Sequence, residues 1–359
     1  MKPAFLASVP VRGLREPSVT SETIPACSPE LVSPAVILLE ALRIAAVALL
    51  MLGVSVPQAA RAQAYPEKPV RIVAPAAPGG GIDLISRIVG GKLSEIWGQQ
   101  VLVENRPGAN FIVGTNAVAK SAPDGYTLLL VAGTALTINP VAFPGLPYTP
   151  GDLAPIMLIS SGTFVLLVNS AVPANSVHEL LAHLRSNPGK LNHASNSATT
   201  ILVSELLKSL AKVDYSDINY KGGVLAAAST AAGETQFCIV DTGSAIAFMR
   251  SGRARALAVT SAQRSRLYPD IPTLAESGVP GFAAPAPIFL FAPARTPTEI
   301  IAKINADLQR ALAVPEVIAR IEAIGNEVIA SRADEASRAL RADAEQWARL
   351  VKERNIRFQ

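Results

Sequence analysis

Cysteine, histidine and aromatic side chains are scarce in this chain, and each shortage closes off a class of chemistry. There are two cysteines in 359 residues. Cys27 falls in an N-terminal leader, so only Cys238 remains and no internal disulfide can form. Cys238 stands in the apolar run Phe237-Cys238-Ile239-Val240, which reads as a buried strand and not as a reactive thiol. His178, His183 and His193 are the only histidines. The first two are five apart, off the i, i+4 spacing that puts two ligands on one helix face, and no metal site is expected. Aromatics make up 5% of the chain and the net charge is only +4, with no basic stripe laced with rings, so nucleic acid is not an expected partner. No Gly-x-Ser-x-Gly elbow occurs. Ser209-Leu210-Ala211-Lys212 matches Ser-x-x-Lys, but Lys221-Gly222-Gly223 is not Lys-Thr-Gly and Ser-Asp-Asn is missing. It reads as a helix end with a solvated lysine. The acids form no obvious pair. No catalytic residue and no cofactor is expected.

Long apolar runs are missing too. The longest, IAAVALLMLGVSV at 44–56, is shorter than the ~20 residues a bilayer requires. With Arg43 before it and Ala62-Gln63-Ala64 after it, the run has the form of a secretory signal. Residues 1–64 are therefore expected to be a leader cleaved after Ala64, with Tyr65 first in the mature chain; Ala60-Arg61-Ala62 is the next-best site. Without a twin arginine the general export route is expected. Residues 1–42, rich in proline and without periodicity, are expected to lie upstream of the true start. The leader holds five Lys/Arg and four Asp/Glu, so its removal leaves +3. The predicted location is the periplasm.

Beyond residue 65 strand-like and helix-like patterns alternate, which implies an α/β architecture rich in parallel strands. Strands are predicted at 70–73, 100–104, 127–131, 156–159, 164–168, 237–240, 256–260 and 288–291. Helices are predicted at 84–97, 115–120, 176–185, 200–210, 225–232, 244–251, 297–313, 315–323 and 333–353. At this length two domains are expected. The runs 165–173 and 288–296 read as strands that carry the chain between them. Residues 65–167 with 288–359 then make domain 1, and 168–287 make domain 2.

The most informative stretch is VRIVAPAAPGGGIDLISRIVGGKLSEIWG at 70–98. A buried strand leads into Gly79-Gly80-Gly81, and then Ile82, Ile85, Val89, Leu93 and Ile96 follow helical spacing. Glycines let the backbone turn sharply and approach a bound group, and the first helical N–H groups have no intrahelical partner. An anion fits there without a cationic side chain. The loop alone leaves two readings, an anion cradle or a sharp strand-to-helix turn that binds nothing. It is neither a triphosphate loop, for no Lys-Ser or Lys-Thr follows, nor the dinucleotide fingerprint.

Seven segments in order carry a family resemblance: YPEKPVRIVAPAAPGGGIDLISRIV (65–89), VLVENRPGAN (101–110), SAPDGYTLLL (121–130), GTALTINP (133–140), INYKGG (218–223), GRARALAVTSAQRS (252–265) and DIPTLAESGVPGF (270–282). Together they resemble the Bug family of periplasmic solute receptors, the extracytoplasmic subunits of tripartite tricarboxylate transporters. The resemblance implies a two-domain periplasmic binding protein, a type II-like flytrap with two crossing strands as hinge. It also implies that a ligand carboxylate is held by backbone N–H groups and water from loops of both domains. The first-domain loop maps to Pro78, Gly79, Gly80, Gly81, Ile82 and Asp83, with Gly133 and Thr134 nearby.

The second-domain loop departs from the family pattern. HASNSATTILVSEL (193–206) lacks the family's Gly-x-Gly and its His-Leu pair, and leaves Ser195, Asn196, Ser197, Thr199 and Thr200 as polar donors. The Asp-Asn-Leu-Pro-Ser stretch becomes VDTGSA (240–245), which offers Asp241 and Thr242. Tyr220 and Lys221 either wall the cleft or form a plain loop. The implied function is a monomeric, non-catalytic receptor for a small carboxylate: a di- or tricarboxylate, an acidic amino acid or an aromatic acid. Its partners would be the membrane subunits of such a transporter; the alternative is a ligand sensor that signals to a membrane partner.

Overall fold

In the computed structural model the described residues are 65–356, with a few isolated positions between 33 and 43. The signal run and its cleavage sites lie outside them. Two compact units divide the chain, Met1–Arg61 and Ala62–Gln359, and everything below concerns the second.

The strand β1 (Val70–Ala74) runs parallel to β2 (Val101–Asn105) on one side and to β3 (Thr127–Ala132) on the other. Between β1 and β2 comes α1 (Gly81–Trp97), which buries Ile82, Ile85, Val89 and Leu93 as their spacing predicts. It starts at Gly81, three residues before the predicted start. Gly98, with φ 62°, ends it by donating to the Ser94 carbonyl at 3.0 Å, the left-handed stop that glycine supplies. The helix α2 (Ile112–Ala119) joins β2 to β3, and two four-residue turns, α3 (Thr134–Thr137) and α4 (Asn139–Ala142), follow β3.

Two strands predicted at 156–159 and 164–168 are one, β4 (Leu153–Asn169), running straight through Ser160-Ser161-Gly162-Thr163. Its partners change along its length. Leu153 to Thr163 pair antiparallel with β9 (Pro285–Pro293), and Ser160 to Gly162 also pair with β10 (Asn326–Val328). From Phe164 onward it pairs with β7 (Phe237–Asp241), and from Val165 with β8 (Ala254–Val259). The polar interruption marks an exchange of neighbours and not a turn.

A second parallel group consists of β5 (Asn192–Ser195), β6 (Ser216–Asn219) and β7, in the order β7-β5-β6. Four helices accompany it: α5 (Val177–Ser186), α6 (Ala198–Ala211), α7 (Gly223–Ala232) and α8 (Thr242–Arg250). The Ser-x-x-Lys segment is the end of α6, where Lys212 closes the helix at φ 55°. The C-terminal part forms α9 (Thr298–Leu312), α10 (Pro315–Glu322) and α11 (Ala333–Arg354), with Asp334 and Glu335 in the first turn of α11 as the helix dipole favours.

The apolar side chains gather in four clusters. One packs Ile72, Ile85, Leu93 and Leu128 against Ile304, Leu308 and Ile321 of α9 and α10. On the opposite face of that sheet Val73, Leu129, Phe289 and Phe291 meet Ala336 of α11. A third joins Leu166, Leu180, Leu202 and Phe237 to Trp347 and Leu350, so α11 begins in one cluster and ends in another. The fourth contains Val165, Leu167, Ala226 and Cys238. Full burial pushes the Cys238 thiol up to about 12, which leaves it inert, as its strand position predicts.

Candidate functional site

Five parallel strands end at the candidate residues, two in the first group and three in the second. Residues 78–83 follow β1, Gly133 and Thr134 follow β3, residues 195–200 follow β5, Tyr220 and Lys221 follow β6, and Asp241 and Thr242 end β7 and open α8. Carboxyl ends of parallel strands are where α/β proteins bind ligands, because helix N-termini and their free amides gather there.

The glycine loop is partly closed upon itself. Gly79, at φ 82°, donates its N–H to Asp83 Oδ2 at 2.8 Å, and Gly80 donates to the Ala77 carbonyl at 3.2 Å. Leu84 N bonds the Gly80 carbonyl at 2.9 Å as the first helical bond. The N–H groups of Gly81, Ile82 and Asp83 have no acceptor among the described residues, and Gly80 supplies no side-chain cap. The open amides are thus the second half of the predicted cradle. Pro78 is exposed in the turn.

The Asp83 side chain points into the protein. It is 2% exposed and takes bonds from Arg87 and Asn105 besides Gly79. Burial opposes its ionisation, but those three donors outweigh it and hold the carboxyl below the ordinary carboxylate range. Sequence reading overlooked Arg87 and Asn105. The i, i+4 spacing of Asp83 and Arg87 was the available signal for the first; Asn105 had none, since it arrives from the next strand.

Gly133 gives its N–H to the Pro287 carbonyl at 2.9 Å, and a Cβ there would lie 2.9 Å from the Phe289 ring. It therefore packs β3 against β9 and has no amide to offer. Thr134, 8% exposed, keeps a hydroxyl without a partner among the described residues.

In the second group Ser195 is fully buried, and neither its hydroxyl nor the Asn196 Oδ1 has a partner among the described residues. Ser197 and Thr200 are engaged in the helix start: Asn196 N and Ser197 N donate to Thr200 Oγ1 at 2.9 and 3.0 Å, and Thr200 N returns to Ser197 Oγ at 3.3 Å. A capping box stands where the resemblance led to an expectation of glycines. The Ala198 and Thr199 amides and the Thr199 hydroxyl remain open. Tyr220 N donates to the Ser195 carbonyl at 2.8 Å, which ties the β5 and β6 loops together. The Tyr220 hydroxyl and the exposed Lys221 ammonium have no partner among the described residues.

Asp241 and Thr242 are both engaged. Asp241 Oδ1 accepts from Ser244 N at 2.9 Å and Oδ2 from Ser244 Oγ at 2.7 Å, capping α8. The same carboxylate leans on the start of α7, where a Cβ on Gly223 would lie 2.9 Å from Asp241 Oδ2. Thr242 is 4% exposed and donates weakly to the Gly325 carbonyl at 3.5 Å. Beside that contact, Ser265 Oγ and Arg266 N both donate to Glu327 Oε1, at 2.7 and 2.8 Å. Gly325 and Glu327 carried no signal in the sequence.

Two surface grooves lie elsewhere. One of about 540 Å³ is lined by Lys68, Arg71, Leu102, Glu104 and Tyr126, and another of about 400 Å³ by Ser176, His178, Leu257 and Asp270. Neither touches a candidate residue. In the first, Lys68 faces Asp124 at 3.6 Å and Arg71 pairs with Glu104 at 3.1 Å, so its cations are engaged.

Known proteins share this fold. The model of the tripartite tricarboxylate transporter family receptor matches residues 85–356. Protein BugT of Bordetella pertussis is 32% identical over 305 residues, which cover 84% of this chain and 93% of BugT. Among solved structures, R. palustris Rpa4515 with adipate superposes with a TM-score of 0.73 at 28% identity, over 82% of this chain and all of that one. MatC from Rhodopseudomonas palustris with bound malate gives 0.69 at 28% identity, over 80% of this chain and all of MatC.

Proposed function

The chain belongs to the tripartite tricarboxylate transporter receptor family, whose members are solute-binding proteins, and from that premise we propose that it captures a small organic carboxylate in the periplasm for the membrane subunits of such a transporter. One carboxylate oxygen pair rests on the Gly81, Ile82 and Asp83 amides. Thr134, Ser195, Asn196, Thr199 and the Ala198 amide supply further bonds, with Tyr220 and Lys221 at the distal end. Residues 65–167 with 288–359 form one lobe and 168–287 the other, the chain crossing within β4 and back at β9. The protein acts as a monomer without catalysis or cofactor, after cleavage behind Ala64.

One observation carries this reading. At the ends of the parallel strands, donors that have no internal acceptor coincide with the loops expected to bind, while their neighbours are engaged in building those loops. Hydrogen bonds to a charged acceptor are about twice as strong as neutral ones, so a desolvated carboxylate is the acceptor that gains most there. Malate in MatC and adipate in Rpa4515 are ligands of that class.

A thermal-shift screen of the exported protein against organic acids, malate and adipate included, tests the proposal. A true ligand at a hundredfold excess over its Kd stabilises by about 2.7 kcal/mol and raises the midpoint with concentration. If no acid shifts the midpoint, the proposal fails. Sequencing the N-terminus from a periplasmic extract checks the cleavage site, with Tyr65 expected first.

A further inference from the structure

Asp83 lies inside the segment expected to touch the ligand, yet the geometry of its carboxylate leaves that side chain nothing to touch with. Oδ2 accepts from Gly79 N at 2.8 Å and from Arg87 Nε at 3.1 Å. Oδ1 accepts from Asn105 Nδ2 at 2.9 Å and faces Arg87 Nη2 at 2.9 Å. Three hydrogen bonds and the ion-pair contact with Arg87 occupy both oxygens of the carboxylate. We propose that the Asp83 side chain is a positioning group of the anion cradle: it holds the Gly79 N–H inward, leaves the Gly81, Ile82 and Asp83 amides free for the ligand, and its carboxylate makes no contact with the ligand. This rests on the reading that the cradle takes a carboxylate.

Neighbouring bonds show how the clasp spreads. Asn105 also donates to the Ala76 carbonyl at 3.0 Å, and its Oδ1 accepts from Arg87 Nη2 at 3.0 Å. One carboxylate thereby ties the end of β2, the loop after β1 and the second turn of α1 into one unit. Gly79, at φ 82°, occupies a conformation most residues avoid, and its bond to Asp83 closes that turn. There is also a consequence for charge. The Arg87 guanidinium is neutralised by Asp83, so an incoming carboxylate meets neutral amides. The loop is ordered before the ligand arrives, which lowers the entropy lost on binding.

The test is amide hydrogen exchange by NMR on the full chain as exported, followed by binding of the acid that gives the largest wild-type shift in the screen. In Asp83→Ala, exchange at Gly79 is expected to quicken at least tenfold while α9 amides keep wild-type protection. Asp83→Asn still offers an oxygen to Gly79, so it should retain most of that protection. Affinity should follow the same order, with a loss of about tenfold in Asp83→Ala and a much smaller one in Asp83→Asn. Unchanged Gly79 exchange in a folded Asp83→Ala overturns the inference. So does an Asp83→Asn variant that keeps Gly79 protection yet loses affinity as fully as Asp83→Ala, because the charge itself would then meet the ligand. The exchange arm uses no ligand, so its failure strikes this inference alone; a screen in which no acid binds strikes the preceding proposal.

Discussion

The backbone N–H of Ile239 donates to Nε2 of the fully buried His193 at 3.0 Å, which leaves Nδ1 to carry the ring proton and aims it at Asp217 Oδ1, 2.6 Å away. An imidazole with one nitrogen accepting is neutral, and a second proton would set two N–H groups face to face. His193, on β5, is thus a rivet between β7 and β6. It forms a three-ring cluster with Phe237 and Tyr215, whose ring centroids are 5.1 and 5.8 Å away. Replacing it by Phe keeps the aromatic packing, strands the Ile239 N–H and removes the shortest hydrogen bond to Asp217. We expect His193→Phe to lower unfolding free energy by about 2–4 kcal/mol in urea titrations. A loss below 1 kcal/mol would mean that water or a relaxed strand replaces the ring.

Asp217 gives the pH dependence of the same network. Burial opposes its charge, but the hydrogen bond from His193 and the bond and charge of Lys208, whose Nζ lies 3.1 Å from Oδ2, outweigh that and hold the carboxyl low. Ser204 Oγ adds a third donor at 3.0 Å, and Glu205 shares Lys208 at 2.8 Å. A carboxyl that titrates lower in the folded state adds stability above its unfolded value near 3.8, and that stability fades as pH falls through the folded value. The stability gap between wild type and Asp217→Asn is therefore expected to be widest at neutral pH and to shrink below pH 4. Urea titrations at pH 7 and pH 3 measure it, and a gap that widens on acidification contradicts the assignment.

These contacts show which parts of the molecule were legible beforehand. Long periodic elements were: the buried stripe of α1 and the apolar runs of β3 and β7 stand where their patterns put them. β5 and β6, reading Asn-His-Ala-Ser and Ser-Asp-Ile-Asn, hold no apolar alternation, because their stability comes from pairing in the middle and at the edge of a group assembled from distant residues. The unity of β4 was hidden by polar residues at the exchange of partners. In the candidate site the residue types were readable but their engagement was not. Ser197 builds a helix start while Ser195, two places earlier, has a free hydroxyl, and only the tertiary fold decides between them. Nor does the Arg-Pro-Gly-Ala-Asn-Phe stretch announce that Ala109, Asn110 and Phe111 all adopt left-handed backbone, with φ of 44°, 51° and 72°, held by Asn139 Nδ2 on the Asn110 carbonyl at 2.8 Å.

Gly325 is a point at which the two strand groups meet directly. It has φ 81°, and a Cβ on it would collide with Thr242 Oγ1. Gly325→Ala carries two penalties, the left-handed backbone and the clash. We expect a loss of about 2 kcal/mol, with the double variant Gly325→Ala/Thr242→Ala recovering the clash portion and leaving about 1 kcal/mol for the backbone. Chemical denaturation of the four proteins of the cycle measures both. Additive losses would show that the β10 turn moves aside freely, and that the Thr242 contact does not constrain how the groups sit.

Ser195 separates binding from stability most cleanly. Its hydroxyl is fully buried without a partner among the described residues, so the unliganded protein keeps a desolvated polar group that no internal bond offsets. Removing such a group relieves a penalty of about 1 kcal/mol, and Ser195→Ala is expected to leave the free protein equally stable or slightly more so. The same change deletes a donor assigned above to the proposed carboxylate, and a bond to a charged acceptor contributes about 1.5–3 kcal/mol. Affinity for the acid found in the screen should fall at least tenfold while the unliganded midpoint holds or rises. A fold-stabilising serine would behave in the opposite way, losing midpoint and affinity together. The two measurements, calorimetric titration and unliganded melting, therefore distinguish a group reserved for a ligand from one that serves the fold.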